Sequence, residues 1–437
     1  MRRREKRDWR FVRLEKTPTP KSLSPLDSKL LKMRKDERQS QSQTHSTNRP
    51  VKEPALDDKL EIKHILDLRD FPKDPFEDKI THDFEDILND DSIQIVAEVM
   101  GGVEPAYTFT KKLLQKGVSV VTSNKELVAA HGPELIAIAK STNANYNFEA
   151  SVGGGIPIIR PLNTSFTADQ ILEISGILNG TTNFILTKMS AEGSNFESAL
   201  KEAQDLGYAE RNPEADIKGF DPCRKIAILA SLVLGKTVDY NDIYTEGIDK
   251  ITPIDLEYVK KLNSALKLVA SLKLLDEGVF VKVTPLMIPM SHPLSMVNDS
   301  YNAVFVKGNA VENTMFYGRG AGKLPTASAC VADMVDSARN LGKNVKIDWS
   351  GEKVQLMLLD NTPVNAFIRV KYNSEKDARN ACSEIFKGCR FAFLENCFDE
   401  FAILAENETE GSLAEKCSAL KERAAVSDIA NIIRFDN

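Results

Sequence analysis

A chain of 437 residues that is 42% hydrophobic and 27% charged is long enough to fold as two or three domains with sizeable cores. No apolar run approaches the roughly 20 residues of a membrane span, and the start lacks the apolar stretch of a secretory signal. The formal net charge of −6 points to no particular partner, and the six cysteines form no Cys-x-x-Cys pair, which argues against a zinc site and fits reduced thiols in a cytoplasmic protein.

Residues 1–57 stand apart. The first 50 hold 15 Lys and Arg against 6 Asp and Glu, so this end carries +9 and the rest −15. With Thr17-Pro-Thr-Pro20, Gln39-Ser-Gln-Ser-Gln43 and little that could bury a face, it reads as a disordered basic segment. Such arms attract nucleic acid or membranes, and organelle transit peptides are basic too. The acidic residues weigh against a transit peptide and the lack of interleaved aromatics against nucleic acid, so neither nucleic acid nor membrane is expected as a partner. Residues 1–57 contain no glycine. A dinucleotide fold places a Gly-rich turn after its first strand so that backbone can approach a pyrophosphate at a helix N-terminus. Both that strand and that turn are expected to be missing.

From residue 58 to about 150 the pattern is that of a Rossmann-like α/β domain, incomplete at its N-terminal side. A strand is predicted over 60–68, ending near Asp67 and Arg69. An acid there suits a ribose hydroxyl and an arginine a 2′-phosphate, which leaves NAD and NADP both open. A short helix (83–88), a buried strand (93–100), a helix (104–116) and a strand (118–122) follow. The first of these strands runs into Gly101-Gly102, where backbone can approach a ligand or simply turn. The second is followed by Asn124 and Lys125, where open α/β sheets have their ligand crevice, although a lysine there is usually a surface residue.

The segment Phe148-Glu149-Ala-Ser-Val152-Gly-Gly154-Gly-Ile156-Pro157 reads as a hinge. Three successive glycines free the backbone, so carbonyls could converge on a hard cation beside one carboxylate. Next come a helix (156–164), a strand (170–176), the turn Asn179-Gly-Thr-Thr-Asn183, a helix to Met189 and a helix over 196–206. The last leads into Gly207-Tyr-Ala-Glu210. Asp221-Pro222 suits a helix start, and the four-residue spacing puts Asp221 and Lys225 on one face. On a surface such a pair is worth about 0.3–0.5 kcal/mol. Here the apolar run Ile226-Ala-Ile-Leu-Ala-Ser-Leu-Val-Leu234 drives the helix into a core, which sets the pair apart from a solvated one. Strands are predicted at 279–284 and 303–307, and a Gly-rich loop containing Gly322 precedes a helix over 326–341. From residue 361 the order is βαββαβ, a ferredoxin-like unit. Serine-hydrolase and zinc-enzyme signatures are missing, and the five histidines are scattered.

Several of these blocks, in this order, resemble homoserine dehydrogenase: Asn179-Gly-Thr-Thr-Asn183, Gly207-Tyr-Ala-Glu210 and Gly219-Phe-Asp-Pro-Cys-Arg-Lys225 through Ala230, with Val121-Thr-Ser-Asn-Lys125, His131-Gly132 and the hinge. The likeness covers residues 58–345, more weakly beyond, and omits 1–57. It implies NAD(P)-dependent interconversion of L-homoserine and L-aspartate 4-semialdehyde in threonine, methionine and isoleucine biosynthesis. The substrate domain (151–315) would carry a sheet that also forms the interface of a homodimer or homotetramer, and residues 316–345 would return to the nucleotide domain.

Lys225 would transfer the proton with Lys125 nearby, which requires a lysine pKa lowered by burial or a second cation. Glu210 and Asp221 would meet the substrate's ammonium, Gly207 would approach the substrate through its backbone, and Asp216 would orient its neighbours. Gly101, Asn124, Lys125, Arg69 and Gly322 would contact the cofactor, while Glu149 and the backbone of Val152, Gly154 and Ile156 would surround a sodium ion. The tail (361–437) resembles an ACT domain, but its first loop, Asn373-Ser-Glu-Lys, departs from the usual pattern of an acid and a glycine where effectors bind, which suggests assembly rather than effector binding. The family carries its Gly-rich loop just upstream of the strand at 60–68; the unrelated residues here suggest an altered coding start. If that start is genuine, the alternative is a catalytically impaired scaffold or regulatory subunit.

Overall fold

The computed structural model describes residues 11–14 and 60–436; the disorder expected for the rest of the basic segment lies outside them. The first sheet contains β1 (Phe11–Leu14), β2 (Ile65–Leu66), β3 (Ile80–Thr81), β4 (Ile95–Glu98), β5 (Ser119–Thr122) and β6 (Tyr146–Asn147), in the order β3-β2-β1-β4-β5-β6. Every residue of β4 and β5 is buried, as in a sheet covered on both faces. Successive side chains point to opposite sides. Val96 and Val120 pack with Leu113, Leu127 and Leu135 of the helices Ala106–Gln115 and Lys125–Ser141. Ile95, Ala97 and Val121 pack with Ala329, Cys330 and Met334 of the helix Lys323–Arg339. The nucleotide domain is thus completed by a helix from far along the chain.

Two expectations are corrected here. The strand predicted over 60–68 contracts to Ile65–Leu66, and the segment expected to leave the first strand's place empty supplies β1. The strand lies between β2 and β4, antiparallel to both, with Phe11 opposite Glu98 and Leu14 opposite Ile95. Two strand edges facing a gap expose rows of backbone donors and acceptors that need partners, and an antiparallel strand satisfies them. Its direction, however, brings the beginning of β1 to the end of the sheet where β4 and β5 finish.

The second sheet is built from β7 (Ile171–Ile177), β10 (Ser264–Leu275), β11 (Gly278–Pro289), β12 (Tyr301–Gly308), β13 (Asn313–Arg319), β15 (Pro363–Tyr372), β16 (Arg390–Ala392), β17 (Glu400–Thr409) and β18 (Val426–Phe435). The order is β13-β12-β7-β10-β11-β18-β15-β17-β16, with β9 (Tyr244–Thr245) beside β11; β8 (Lys236–Thr237) and β14 (Ser350–Lys353) form a separate pair. Strands β10 and β13 were not predicted: Ser264–Leu275 is rich in Leu, Lys and Ala, which suit helices, and β13 was read as part of the Gly-rich loop. The predicted βαββαβ order is present, with helices Glu375–Ile385 and Glu410–Lys421, but the unit is not a separate body. Its last strand pairs in parallel with β11, Leu286 opposite Arg434 and Met287 opposite Phe435.

Buried charge locks this junction. Arg369 donates to Glu400 from Nε (2.8 Å) and Nη2 (2.7 Å), and from Nη1 to Asp255 (2.8 Å) and Thr252 Oγ1 (3.0 Å). Asn431 donates to the other oxygen of Asp255 at 2.9 Å. Arg434 pairs with Glu410 at 3.0 Å and also with Glu246. No helix among the described residues is long and apolar enough to cross a membrane. Replacing Arg369 by Met would strand the buried carboxylates of Asp255 and Glu400, and urea unfolding should show a loss of about 3–5 kcal/mol.

Candidate active site

The helix Phe220–Leu234 opens at Gly219, whose φ of +81° suits glycine; a Cβ there would meet Thr245 Cγ2 at 3.0 Å. One turn in, Asp221 and Lys225 are only 6% and 8% exposed. Lys225 Nζ donates to Asp221 Oδ2 at 2.8 Å and to the Leu178 carbonyl at 2.7 Å. Lys125 Nζ arrives from the nucleotide domain, 3.1 Å from Asp221 Oδ1. Asn179 Nδ2 bridges Asp216 (2.7 Å) and Asp221 (2.8 Å), while its Oδ1 caps the helix Gly180–Glu192 by accepting from Thr182 N at 2.9 Å. Four predicted site residues therefore converge, joined by Asn179, which opens the predicted turn and was not among the expected site residues. An Asn directly before Gly-Thr-Thr is an N-cap signal, and that signal could have found it.

The electrostatics follow from this packing. Burial pushes the Asp221 carboxyl upward, but Lys225 and Lys125 outweigh it and hold the group well below the usual carboxylate range. Burial likewise acts to lower Lys125, yet the charge of Asp221 prevails and raises it. The partner of Lys125 is a carboxylate at contact distance, so its ammonium is held charged. Asp216 is raised, by burial first and then by the neighbouring charge of Asp221, against the hydrogen bond from Asn179.

Gly207 (φ +76°) and Glu210 are on an exposed loop after the helix Phe196–Asp205. The loop is tied to the cluster through the Tyr208 carbonyl, which accepts from Thr181 Oγ1 at 2.6 Å. At the end of β4, an added Cβ on Gly101 would meet nothing within 4 Å, and the Gly102 carbonyl accepts from Asn124 Nδ2 at 2.7 Å. Asn124 also caps the helix that begins with Lys125, accepting from Leu127 N at 3.2 Å. At the end of β2, Arg69 straddles Asp67 with Nε and Nη2 at 3.1 and 3.2 Å and lies over the Phe71 ring. Gly322 (φ +115°) starts the return helix Lys323–Arg339.

At the hinge, Glu149 is buried and caps the helix Ile159–Thr164. Its Oε1 accepts from Ile158 N (2.6 Å) and Ile159 N (2.8 Å), its Oε2 from Arg160 N (2.8 Å). A carboxylate offers about four acceptor positions, so one remains for a cation. The hinge itself is pressed against the return segment: a Cβ on Gly154 would lie 2.5 Å from the Gly320 carbonyl. Asp333 of the return helix accepts from Glu149 N (2.8 Å) and Arg160 (2.6 Å), a link the sequence did not announce. Lys267 of β10 was also missed. Its buried ammonium donates to Val297 O (2.6 Å), Asn298 Oδ1 (3.0 Å) and Asn183 Oδ1 (3.3 Å), pinning a turn onto the helix that Asn179 caps.

Comparison with known proteins supplies the family. The model described as homoserine dehydrogenase matches residues 157–335, and the homoserine dehydrogenase NAD binding domain matches residues 45–149. Homoserine dehydrogenase of Bacillus subtilis is 36% identical over 389 residues, covering 86% of this chain and 88% of its own. The chain belongs to the homoserine dehydrogenase family. Its reaction is the NAD(P)-dependent interconversion of L-homoserine and L-aspartate 4-semialdehyde, and nothing in these matches supports the scaffold alternative. The crystal structure of a homoserine dehydrogenase from Thiobacillus denitrificans aligns with a TM-score of 0.75 at 33% identity, over 82% of this chain and 85% of the other. A hyperthermophilic archaeal homoserine dehydrogenase in complex with NADPH aligns with a TM-score of 0.51 at 29% identity, over 59% of this chain and 76% of the other.

The dehydrogenase should carry a measurable mark of Lys267. Burial lowers its ammonium from the usual lysine value to about 8. Between about pH 8 and 10.5 the unfolded chain binds a proton that the folded one does not, so this residue makes stability rise with pH across that window. The difference in urea midpoint between the parent and Lys267→Met should therefore shift in the parent's favour as pH rises through that window, and a difference independent of pH would exclude this role.

Proposed function

We propose that Lys225 is the proton-transferring group of the dehydrogenase, with Asp221 holding both lysines and Lys125 serving both domains. The observation that carries this reading is the buried Lys225–Asp221 pair at 2.8 Å, joined from the other domain by the partly exposed Lys125 at 3.1 Å. Two N–H groups of Lys225 are committed to Asp221 and Leu178, and an ammonium has three. The third is available to the substrate's C4 oxygen, as donor towards the aldehyde or, once deprotonated, as acceptor from the alcohol. Lys125, held charged, stabilises negative charge developing on that oxygen. Asp221 already accepts from three donors, so Glu210 on its exposed loop is the stronger candidate for the substrate's ammonium, with Asp216 behind it.

Gly101, Asn124 and Lys125 fit a nicotinamide cofactor, because they follow the carboxyl ends of two parallel strands, with open space over Gly101. The nicotinamide, when bound, supplies the hydride chemistry. We favour NADP: the acid at the end of β2 is already paired with Arg69, and a guanidinium half exposed at that place suits a 2′-phosphate. The related archaeal enzyme with bound NADPH is consistent with this. Gly322 would lie near the cofactor at the start of the return helix. At the hinge, the acceptor position left on Glu149 and the backbone carbonyls of Val152, Gly154 and Ile156 would supply the oxygen ligands that a sodium ion takes. Assembly as a homodimer or homotetramer, a cytoplasmic location and an assembly role for the C-terminal unit belong to the same reading.

Lys225→Met should lower kcat by about 10²–10⁴-fold while leaving the NADPH dissociation constant, read by fluorescence titration, within about twofold of the parent. An unchanged kcat would dismiss Lys225 from proton transfer. Arg69→Ser should weaken NADPH by about 10–100-fold, the value of one charge-assisted contact, and leave NADH nearly untouched. Equal losses for both cofactors would remove Arg69 from the choice between them.

A further inference from the structure

We infer that Glu98 is a positioning residue for the cofactor crevice, whose ionised carboxylate holds the two loops bearing Gly101–Gly102 and Asn124–Lys125 in register, and whose protonation loosens them. It ends β4, is completely buried, and has no place in the proton transfer described above. Its Oε1 accepts from Met100 N at 2.6 Å, at the root of the first loop. Its Oε2 accepts from Thr122 Oγ1 at 2.5 Å, at the root of the second. Thr122 Oγ1 in turn accepts from Asn124 N at 2.9 Å, and Asn124 Nδ2 returns to the Gly102 carbonyl at 2.7 Å. The ring of contacts therefore runs from one loop through Glu98 to the other and back. It also sets the start of the helix Lys125–Ser141, and so the place from which Lys125 reaches Asp221.

The direction of each hydrogen bond in the ring depends on the charge. The hydroxyl of Thr122 has one hydrogen. With Glu98 ionised, it donates that hydrogen and accepts from Asn124 N, so every group is served. With Glu98 protonated, the new O–H on Oε2 must donate to Thr122 Oγ1, which then accepts twice and has its own hydrogen displaced from the carboxylate. Among the described residues, the titratable groups facing Glu98 from neighbouring elements are Tyr146 of β6 and Cys330 of the return helix. Neither is a cation, and the groups that favour its ionised form are Thr122, Met100 N and Asn124. Burial accordingly pushes the carboxyl up to about 7, inside the range in which the enzyme would be assayed.

The inference rests on the cofactor placement proposed above, and its test separates the two. NADPH dissociation constants would be measured by fluorescence titration at pH 6.0 and 8.5 for the parent and for Glu98→Gln. The amide donates to Thr122 as the protonated acid would. The parent should bind up to about tenfold more weakly at pH 6.0, the limit for a group titrating near 7 whose protonated form does not bind. Glu98→Gln should bind at least as weakly at both pH values as the parent does at pH 6.0, flat within about twofold beyond the titration of the cofactor's own phosphate, which is common to both proteins. A variant with the parent's affinity and pH slope would overturn the inference, as would a uniform loss with the slope retained, which marks a merely structural role. Should Glu98→Gln fail to fold, Thr122→Val carries the same test, and a retained slope there would overturn it. A folded parent that binds no NADPH would instead overturn the cofactor placement on which the inference stands.

Discussion

Two ammonium groups repel, and the site places two of them on one carboxylate. Lys225 and Lys125 come from different domains and meet only through Asp221, which is buried at the beginning of a helix. A negative charge in the first turn of a helix is also favoured by the helix dipole, so Asp221 is stabilised by its place in the chain as well as by its partners. The converse matters more for architecture. Without that carboxylate, Lys225 would be a cation inside the substrate domain and Lys125 would have no charge to reach for across the domain boundary. Asn179 completes the arrangement by feeding one amide to both acids while its oxygen starts the neighbouring helix.

The nucleotide side obeys a different constraint, that of supplying backbone donors at the ends of strands. In a fold of this type the first parallel strand turns sharply into a helix at the crevice. Here β1 occupies that place in the sheet but runs the other way, so Phe11 rather than Leu14 is level with Glu98. No strand-to-helix turn can begin at its crevice end. Among the described residues, the stretch from Met100 to Gly102 and the start of the helix Lys125–Ser141 lie at the ends of β4 and β5, and Glu98 and Thr122 tie them together. That concentration of duty on one buried acid gives its charge state leverage over the crevice.

What could be read from the sequence divides along physical lines. The βαββαβ order of the tail was legible because each element carries its own period and its own breakers. Likewise, the pairing of Asp221 with Lys225 was legible because helical spacing fixes it locally. The reach of Lys125 to Asp221, by contrast, spans nearly a hundred residues, and only the resemblance suggested it. Strand β10 was missed because Leu, Lys and Ala suit a helix in isolation, and its pairing with β11 and β7 overrode that preference. Glu149 was read for its charge alone; that it caps a helix with three backbone contacts depends on how the hinge folds back, which no local pattern encodes. The direction of β1 is of the same kind, since a gap between strands can be filled from either end.

The continuous second sheet ties the C-terminal unit to the catalytic helix by a short route. Arg434, on the strand that joins the two parts, holds Tyr244 at 3.3 Å and Glu246 on the segment beside β11. Between them, Thr245 packs where a Cβ on Gly219 would be, and the next residue, Gly247, passes so close to Ile217 that a Cβ would lie 2.1 Å from its carbonyl. Ile248 N then donates to the same carbonyl at 2.9 Å. Residues 217–219 lead directly into Asp221, so the segment that positions the central carboxylate is braced from behind by a loop that the C-terminal unit anchors. Such a brace is a chain of packed and hydrogen-bonded contacts in one arrangement, not a switch between two. Its consequence is mechanical: the helix start that must hold two cations at contact distance is kept from shifting by charge pairs buried as deeply as its own.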